Sequence, residues 1–222
     1  MNATQEVRTV KKSIYSLVLA DDVVAAADRL AYELHTSRSN LINQILAEHL
    51  SCVTPEMRMQ AVFAQMEALA GQFRVLDQTS AHMLSLQSRL DYKYKPTVQY
   101  FVELYRVPEK DCAGRLRVQL RTQNAALLHV LEQFFRLWTA LEERYVPAAA
   151  GTVYRISPGR LERSIRDPGV TEEELGALIG GYVRTFDRYL KAYFSGIAHP
   201  QETAAHLEAA FRKEAASMDK VI

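Results

Sequence analysis

Residues 14–19 alternate. Tyr15, Leu17 and Leu19 fall on one side of an extended chain, and Lys12, Ile14, Ser16 and Val18 on the other. The larger, uniformly apolar set predicts a short strand buried on one face. A period of 3.6 follows. Val23, Val24, Ala27, Leu30, Ala31 and Leu34 form the stripe of a first helix with Asp21 or Asp22 as its cap, and with Asp28 and Arg29 solvated. His35 is expected at its end, and Thr36-Ser-Arg-Ser-Asn40 opens a second helix with Ser37 as N-cap. Leu41, Ile42, Ile45, Leu46 and Leu50 carry that helix's apolar face, and Asn43, Gln44 and Glu48 face water.

Beyond a short break at 51–54 the pattern is longer and mixed. Thr54-Pro55-Glu56 starts a connecting helix over 54–70, apolar nearly all round, which predicts burial between domains or across a dimer. Thr79 or Ser80 is read as the start of a short helix through Met83, Leu84 and Leu90. Residues 97–122 read as a hairpin. Val98, Tyr100, Val102 and Leu104 face inward on its first strand, and Leu116, Val118 and Leu120 on its second. Its other face gathers Gln99, Phe101, Glu103 and Tyr105 with Arg115, Arg117, Gln119 and Arg121. That face is read either as a solvated surface with cross-strand pairs such as Glu103 to an arginine, or as an anion, effector or second nucleic-acid site. Long helices are expected over 124–145, with Trp138 and two phenylalanines as core, over 171–195, and over 202–218. Gly180-Gly181 marks a close helix contact. Residues 152–168 admit either a hairpin turn at Pro158-Gly159 or a short helix capped by Ser157-Pro158, and are basic in both cases through Arg155, Arg160, Arg163 and Arg166.

The fold class is therefore α+β and mostly helical. It divides into an N-terminal unit over 1–52 and a larger C-terminal domain over 53–222. Composition fits a soluble globular chain: 222 residues, 48% hydrophobic, 24% charged. The net charge of +1 gives no global pull toward nucleic acid. The first fifty residues hold more acids than bases, so any affinity for DNA rests on local placement of Arg8, Lys11 and Lys12 and on a modest salt dependence. Cys52 and Cys112 have no metal-like spacing and suit a reducing compartment. No signal peptide or membrane-spanning run is read, so a cytoplasmic protein is expected. The sequence shows no phosphate loop, dinucleotide fingerprint, HExxH pair or nucleophile elbow, and its six histidines are scattered. Neither an enzyme nor a cofactor or metal is expected.

The strand, acid-opened helix, Ser37-Arg38-Ser39 turn and second helix, in that order over residues 11–50, resemble the ribbon-helix-helix (Arc/MetJ/CopG-type) family of dimeric DNA-binding proteins. The position before Asp21, often proline in that family, is Ala20 here. The resemblance covers about a fifth of the chain. It implies a prokaryotic homodimer, able to assemble to higher order on DNA, whose paired strands enter the major groove. Lys12, Ile14, Ser16 and Val18 would face bases, with Ile14 and Val18 departing from the family's polar pattern and suited to thymine methyl groups. Ser37, Arg38 and Ser39, with Arg8 and Lys11, would hold phosphate. The expected function is sequence-specific transcriptional regulation, with a protein or small-molecule effector at the C-terminal domain. The alternatives are an antitoxin, or a plasmid partition or conjugation accessory protein, whose C-terminal domain binds a protein.

Overall fold

A computed structural model describes residues 16–50, 52–93, 95–109, 111–216 and 222. The fold is α+β. Helices α1 (Asp21–Glu33) and α2 (Arg38–His49) come first, then α3 (Pro55–Ala68). Strands β1 (Arg74–Ser80), β2 (Met83–Arg89), β3 (Thr97–Glu109) and β4 (Cys112–Leu120) follow as a meander. After α4 (Ala125–Tyr145) come β5 (Tyr154–Ser157) and β6 (Arg160–Arg166), then α5 (Glu172–Ser195) and α6 (Pro200–Ala215). The six strands form one antiparallel sheet in the order β1-β2-β3-β4-β6-β5.

The register sorts the sheet into two faces. Across one run Leu86, Tyr100, Val118, Leu161 and Ile156, and beside them Leu84, Val102, Leu116, Arg163 and Tyr154. This face joins Phe63 and Met66 of α3, Phe134, Phe135 and Trp138 of α4, Phe186 and Leu190 of α5, and Leu207 and Phe211 of α6 in one buried cluster. Phe186 is its hub, with ring centroids 5.0 Å from Trp138, 5.4 Å from Phe134 and 6.2 Å from Tyr100. The apolar area removed from water there is the main stabilising term of the fold.

Local signals explain most element starts. Side-chain oxygens of Ser37, Thr54, Asn124 and Thr171 accept first-turn amides of α2 through α5, omitting none of the four. Pro55 and Pro200 occupy first-turn positions where no amide is missed. Gly159 turns the β5–β6 hairpin at φ +71°, and a Cβ there would lie 2.7 Å from the Leu120 carbonyl oxygen, so both conformation and space demand glycine.

Several expectations are corrected. The span from Ser80 is no helix: β1 and β2 form a hairpin around Ala81-His82, with Leu84, Leu86 and Ser88 inward at period two. Adjacent Met83 and Leu84 imitate a helical stripe, but the pairing with β3 sends alternate side chains, Leu84, Leu86 and Ser88, to the core face. The ambiguous 152–168 is the hairpin form. Helix α3 packs on α5 within the C-terminal core, because Gly176 and Gly180 of α5 let the two backbones approach. Neither Asp21 nor Asp22 is the cap of α1. Ala20 takes that place without a side-chain bond, and Asp22 Oδ1 accepts from the Val23 amide at 3.0 Å. Asp28 is exposed, as expected, and also binds Arg38. The last helix starts at Pro200 and ends at Ala215.

Helices α1 and α2 share a separate, small buried cluster of Ala27, Ala31 and Leu41. The turn between them closes as a Schellman motif: the Thr36 amide donates to the Ala31 carbonyl at 2.9 Å and the His35 amide to Tyr32 at 3.2 Å. His35 takes the left-handed position at φ +49°, where glycine is usual. No described helix is long and apolar enough to cross a membrane.

Candidate functional site

Three places concentrate chemistry. The first is the N-terminal unit. Arg8, Lys11, Lys12, Ile14 and Tyr15 lie outside the described residues. Ser16 and Val18 are exposed, and residues 16–20 belong to no strand ladder within the single chain. Ser37 caps α2, its Oγ accepting from the Asn40 amide at 3.2 Å. The Arg38 and Ser39 amides at the same helix start find no acceptor among the described residues, and the helix dipole puts its positive end there. Arg38 itself turns back to α1. Its Nε and Nη2 each donate to an Asp28 carboxylate oxygen at 2.5 Å, and this hydrogen bond and the Asp28 charge raise its pKa. The pair staples α2 to α1 and is open to solvent, so its own contribution to stability is small.

This unit buries little. Of the large, exposed hydrophobic side chains among the described residues, all but Val75 and Val153 fall within residues 17–53. Leu17, Val18 and Leu19 precede α1; Val23, Leu30 and Leu34 line one side of it; Ile45, Leu46 and Leu50 line α2. The helix residues among these belong to the stripes the helical period picks out; Ala27, Ala31 and Leu41 of the same stripes are buried.

The second place is the open face of the sheet. Glu103 of β3 stands opposite Arg115 of β4, and their side chains pair at 2.7 Å. Arg115 also lies 3.8 Å from Glu162, which binds Arg160. Arg117 has no carboxylate partner among the described residues; its guanidinium lies over the Phe101 ring at 4.3 Å. Burial, then the charges of Arg160 and Arg115, lower its pKa. Arg121 follows β4 and is exposed. Cross-strand pairing thus accounts for Arg115, while Arg117 and Arg155 leave the face basic.

The third place was not anticipated. Within the core, Arg163 of β6 and Glu142 of α4 are 1% and 2% exposed, and they pair through Nη2–Oε1 at 3.0 Å and Nε–Oε2 at 3.4 Å. The Tyr182 hydroxyl donates to Glu142 Oε2 at 2.8 Å and accepts from Trp138 Nε1 at 2.8 Å. Arg163 Nη1 donates to the Ser164 carbonyl, and the guanidinium sits 4.4 Å from the Tyr182 ring centroid. Burial and then the Glu142 charge push the Tyr182 hydroxyl far above its usual pKa. Burial opposes the charge on Arg163, but Tyr182 and Glu142 outweigh it and hold its pKa up. A second buried carboxylate, Asp187, is satisfied by Tyr100 Oη at 2.8 Å, Gln72 Nε2 at 3.2 Å and Lys191 Nζ at 2.6 Å. Both clusters are closed hydrogen-bond circuits in which no nucleophile stands beside a free base, so each serves to fix the packing.

The sequence held a signal for Glu142 and Arg163. Glu142 continues the stripe of Phe135 and Trp138, and Arg163 shares parity with Leu161 and Ile165. A charge at an inward position on each of two elements points to a buried pair. No cluster of three or more histidine, cysteine, aspartate or glutamate side chains suited to a metal occurs among the described residues. Comparison with protein-family models, curated proteins and solved structures finds no match.

Proposed function

We propose that the protein is a homodimeric, sequence-specific DNA-binding regulator whose N-terminal unit is a ribbon-helix-helix. The observation that carries this reading is the uncovered apolar surface of residues 17–53, on a unit whose own buried cluster is three residues. About forty residues cannot bury a core alone, and a second copy covers Leu30, Leu34, Ile45 and Leu46 with their own equivalents. Dimerisation then sets two 14–19 segments side by side as an antiparallel ribbon, with Lys12, Ile14, Ser16 and Val18 outward. The free amides of Arg38 and Ser39 hold a phosphate at the flank of the groove. The C-terminal domain has a folded core of its own, which favours a regulator over an antitoxin with a short, unstructured tail.

Sequencing the genomic DNA that co-purifies with the protein tests binding and names the site together; recovery of no enriched sequence sinks the reading. Enrichment at promoters supports a regulator, and at a replication or transfer origin an accessory role. Ser16→Ala and Lys12→Ala weaken sequence preference, whereas Arg38→Ala weakens binding to every sequence alike.

A further inference from the structure

Helices α4, α5 and α6, together with Ile222, line a partly open pocket of about 190 Å³ that none of the described side chains fills. Packed helices normally interdigitate their side chains, so a pocket of this size between three of them needs a cause. Gly181 supplies it. Its neighbours on α5 are explained by packing: a Cβ on Gly176 would lie 2.6 Å from the Val62 carbonyl oxygen of α3, and one on Gly180 would touch Leu69 and Met66 at 3.8 Å. A Cβ on Gly181 meets nothing nearer than Arg184 Nη2 at 3.9 Å. Glycine inside a helix costs about 0.5–1 kcal/mol against alanine, and no close approach requires it here. What its missing side chain does is keep the cavity open, together with Ala177 one turn earlier.

The walls state the chemistry. Trp138, Leu178 and Phe211 are apolar. The ionisable group on the wall, Glu142, is already neutralised by Arg163, and the Tyr182 hydroxyl is already both donor and acceptor. A charged guest would lose its hydration and meet no counter-charge. Thr185, also on the wall, has a hydroxyl without a hydrogen-bond partner among the described residues. We propose that this cavity binds a neutral, mainly apolar small molecule that offers one hydroxyl or carbonyl group to Thr185. A dry apolar cavity of ~150 Å³ holds benzene, so this one takes a guest of roughly ten non-hydrogen atoms. The site stands whether or not the N-terminal unit binds DNA.

Trp138 is the chain's one tryptophan and lines the pocket, so its emission responds to a guest bound there. Titrating the full chain with 1-octanol is expected to change that emission saturably. Gly181→Leu, which fills the space, abolishes the response; if it fails to fold, Ala177→Leu blocks the same wall. Thr185→Val keeps the shape and loses the hydroxyl, so the affinity for octanol falls about three- to tenfold, the worth of one hydrogen bond. Octanoate binds at least about tenfold more weakly than octanol at neutral pH, since its charge must be desolvated. No saturable change, an undiminished response in both filled variants, or octanoate binding as tightly as octanol would each overturn the proposal.

Discussion

Arg163 and Glu142 set the terms for what single residues do in this core. Removing one partner strands a buried charge, so Arg163→Met or Glu142→Gln is expected to cost about 3–5 kcal/mol in urea unfolding. Replacing both, as Glu142→Leu with Arg163→Met, should recover most of that loss, because no charge is then left unpaired. A double variant as unstable as the worse single one would show that the pair's stability lies elsewhere. The tyrosines give a pH signature. Burial, then Glu214, raises Tyr189 from 10.0 to about 12, and burial raises Tyr100 and Tyr182 well above 10.0. The protonated form is favoured in the native state, so this stability is complete below pH 10 and drains away as pH rises through 10 toward 12. Alkaline titration should show these tyrosines ionising together with loss of structure, not ahead of it. The sequence marked Arg163 only as part of a basic stretch. Its parity with Leu161 and Ile165 was the readable clue, and the stretch in fact divides: Arg160 to the open face, Arg163 to the core.

Among elements, helices were legible where caps and stripes agreed. Ser37 and Thr54 cap α2 and α3 as read, and Asn124 and Thr171, at the expected starts of α4 and α5, cap those helices too. The β1–β2 hairpin was hidden because Met83-Leu84 are adjacent, and the tie-breaker is a partner strand about fifteen residues away in sequence. Close packing of α3 on α5 depends on Gly176. Gly176→Val would drive a side chain into the Val62 backbone and is expected to destabilise by about 1–3 kcal/mol. Gly180→Ala has room at 3.8 Å and should be neutral or stabilising by up to about 1 kcal/mol, through helix propensity. The bond between α1 and α2 separates two roles for Arg38. If Arg38 serves DNA as a cation, Asp28→Ala keeps binding while Arg38→Ala loses it; equal loss in both would mean that the pair acts only by stapling the helices.

For the molecule as a whole, the contrast lies between a C-terminal core that buries its apolar residues and an N-terminal unit that leaves them uncovered. Heating should therefore give two transitions. The first, seen in helical circular dichroism, is expected to shift upward with protein concentration, because in the proposed dimer it includes dissociation. The second, reported by Trp138, does not. Leu46→Asp is expected to erase the concentration dependence and leave the second transition in place. The base-facing set remains an expectation from the strand's alternation, since Lys12 and Ile14 lie outside the described residues. A two-chain ladder of the kind proposed cannot be read from one chain's packing, and the exposed stripes are what favours it.

The sheet order carries a kinetic consequence. Strands β1 to β4 pair with their neighbours in sequence, so that meander closes through short loops. Strand β6 reaches β4 only after α4 has crossed between them, and it brings Arg163 into an apolar layer where Glu142 alone can receive it. Stripping water from that guanidinium before its partner is in place raises the barrier to docking. A chain with both charges replaced by apolar side chains should refold faster than the natural one, even where its equilibrium stability is the same.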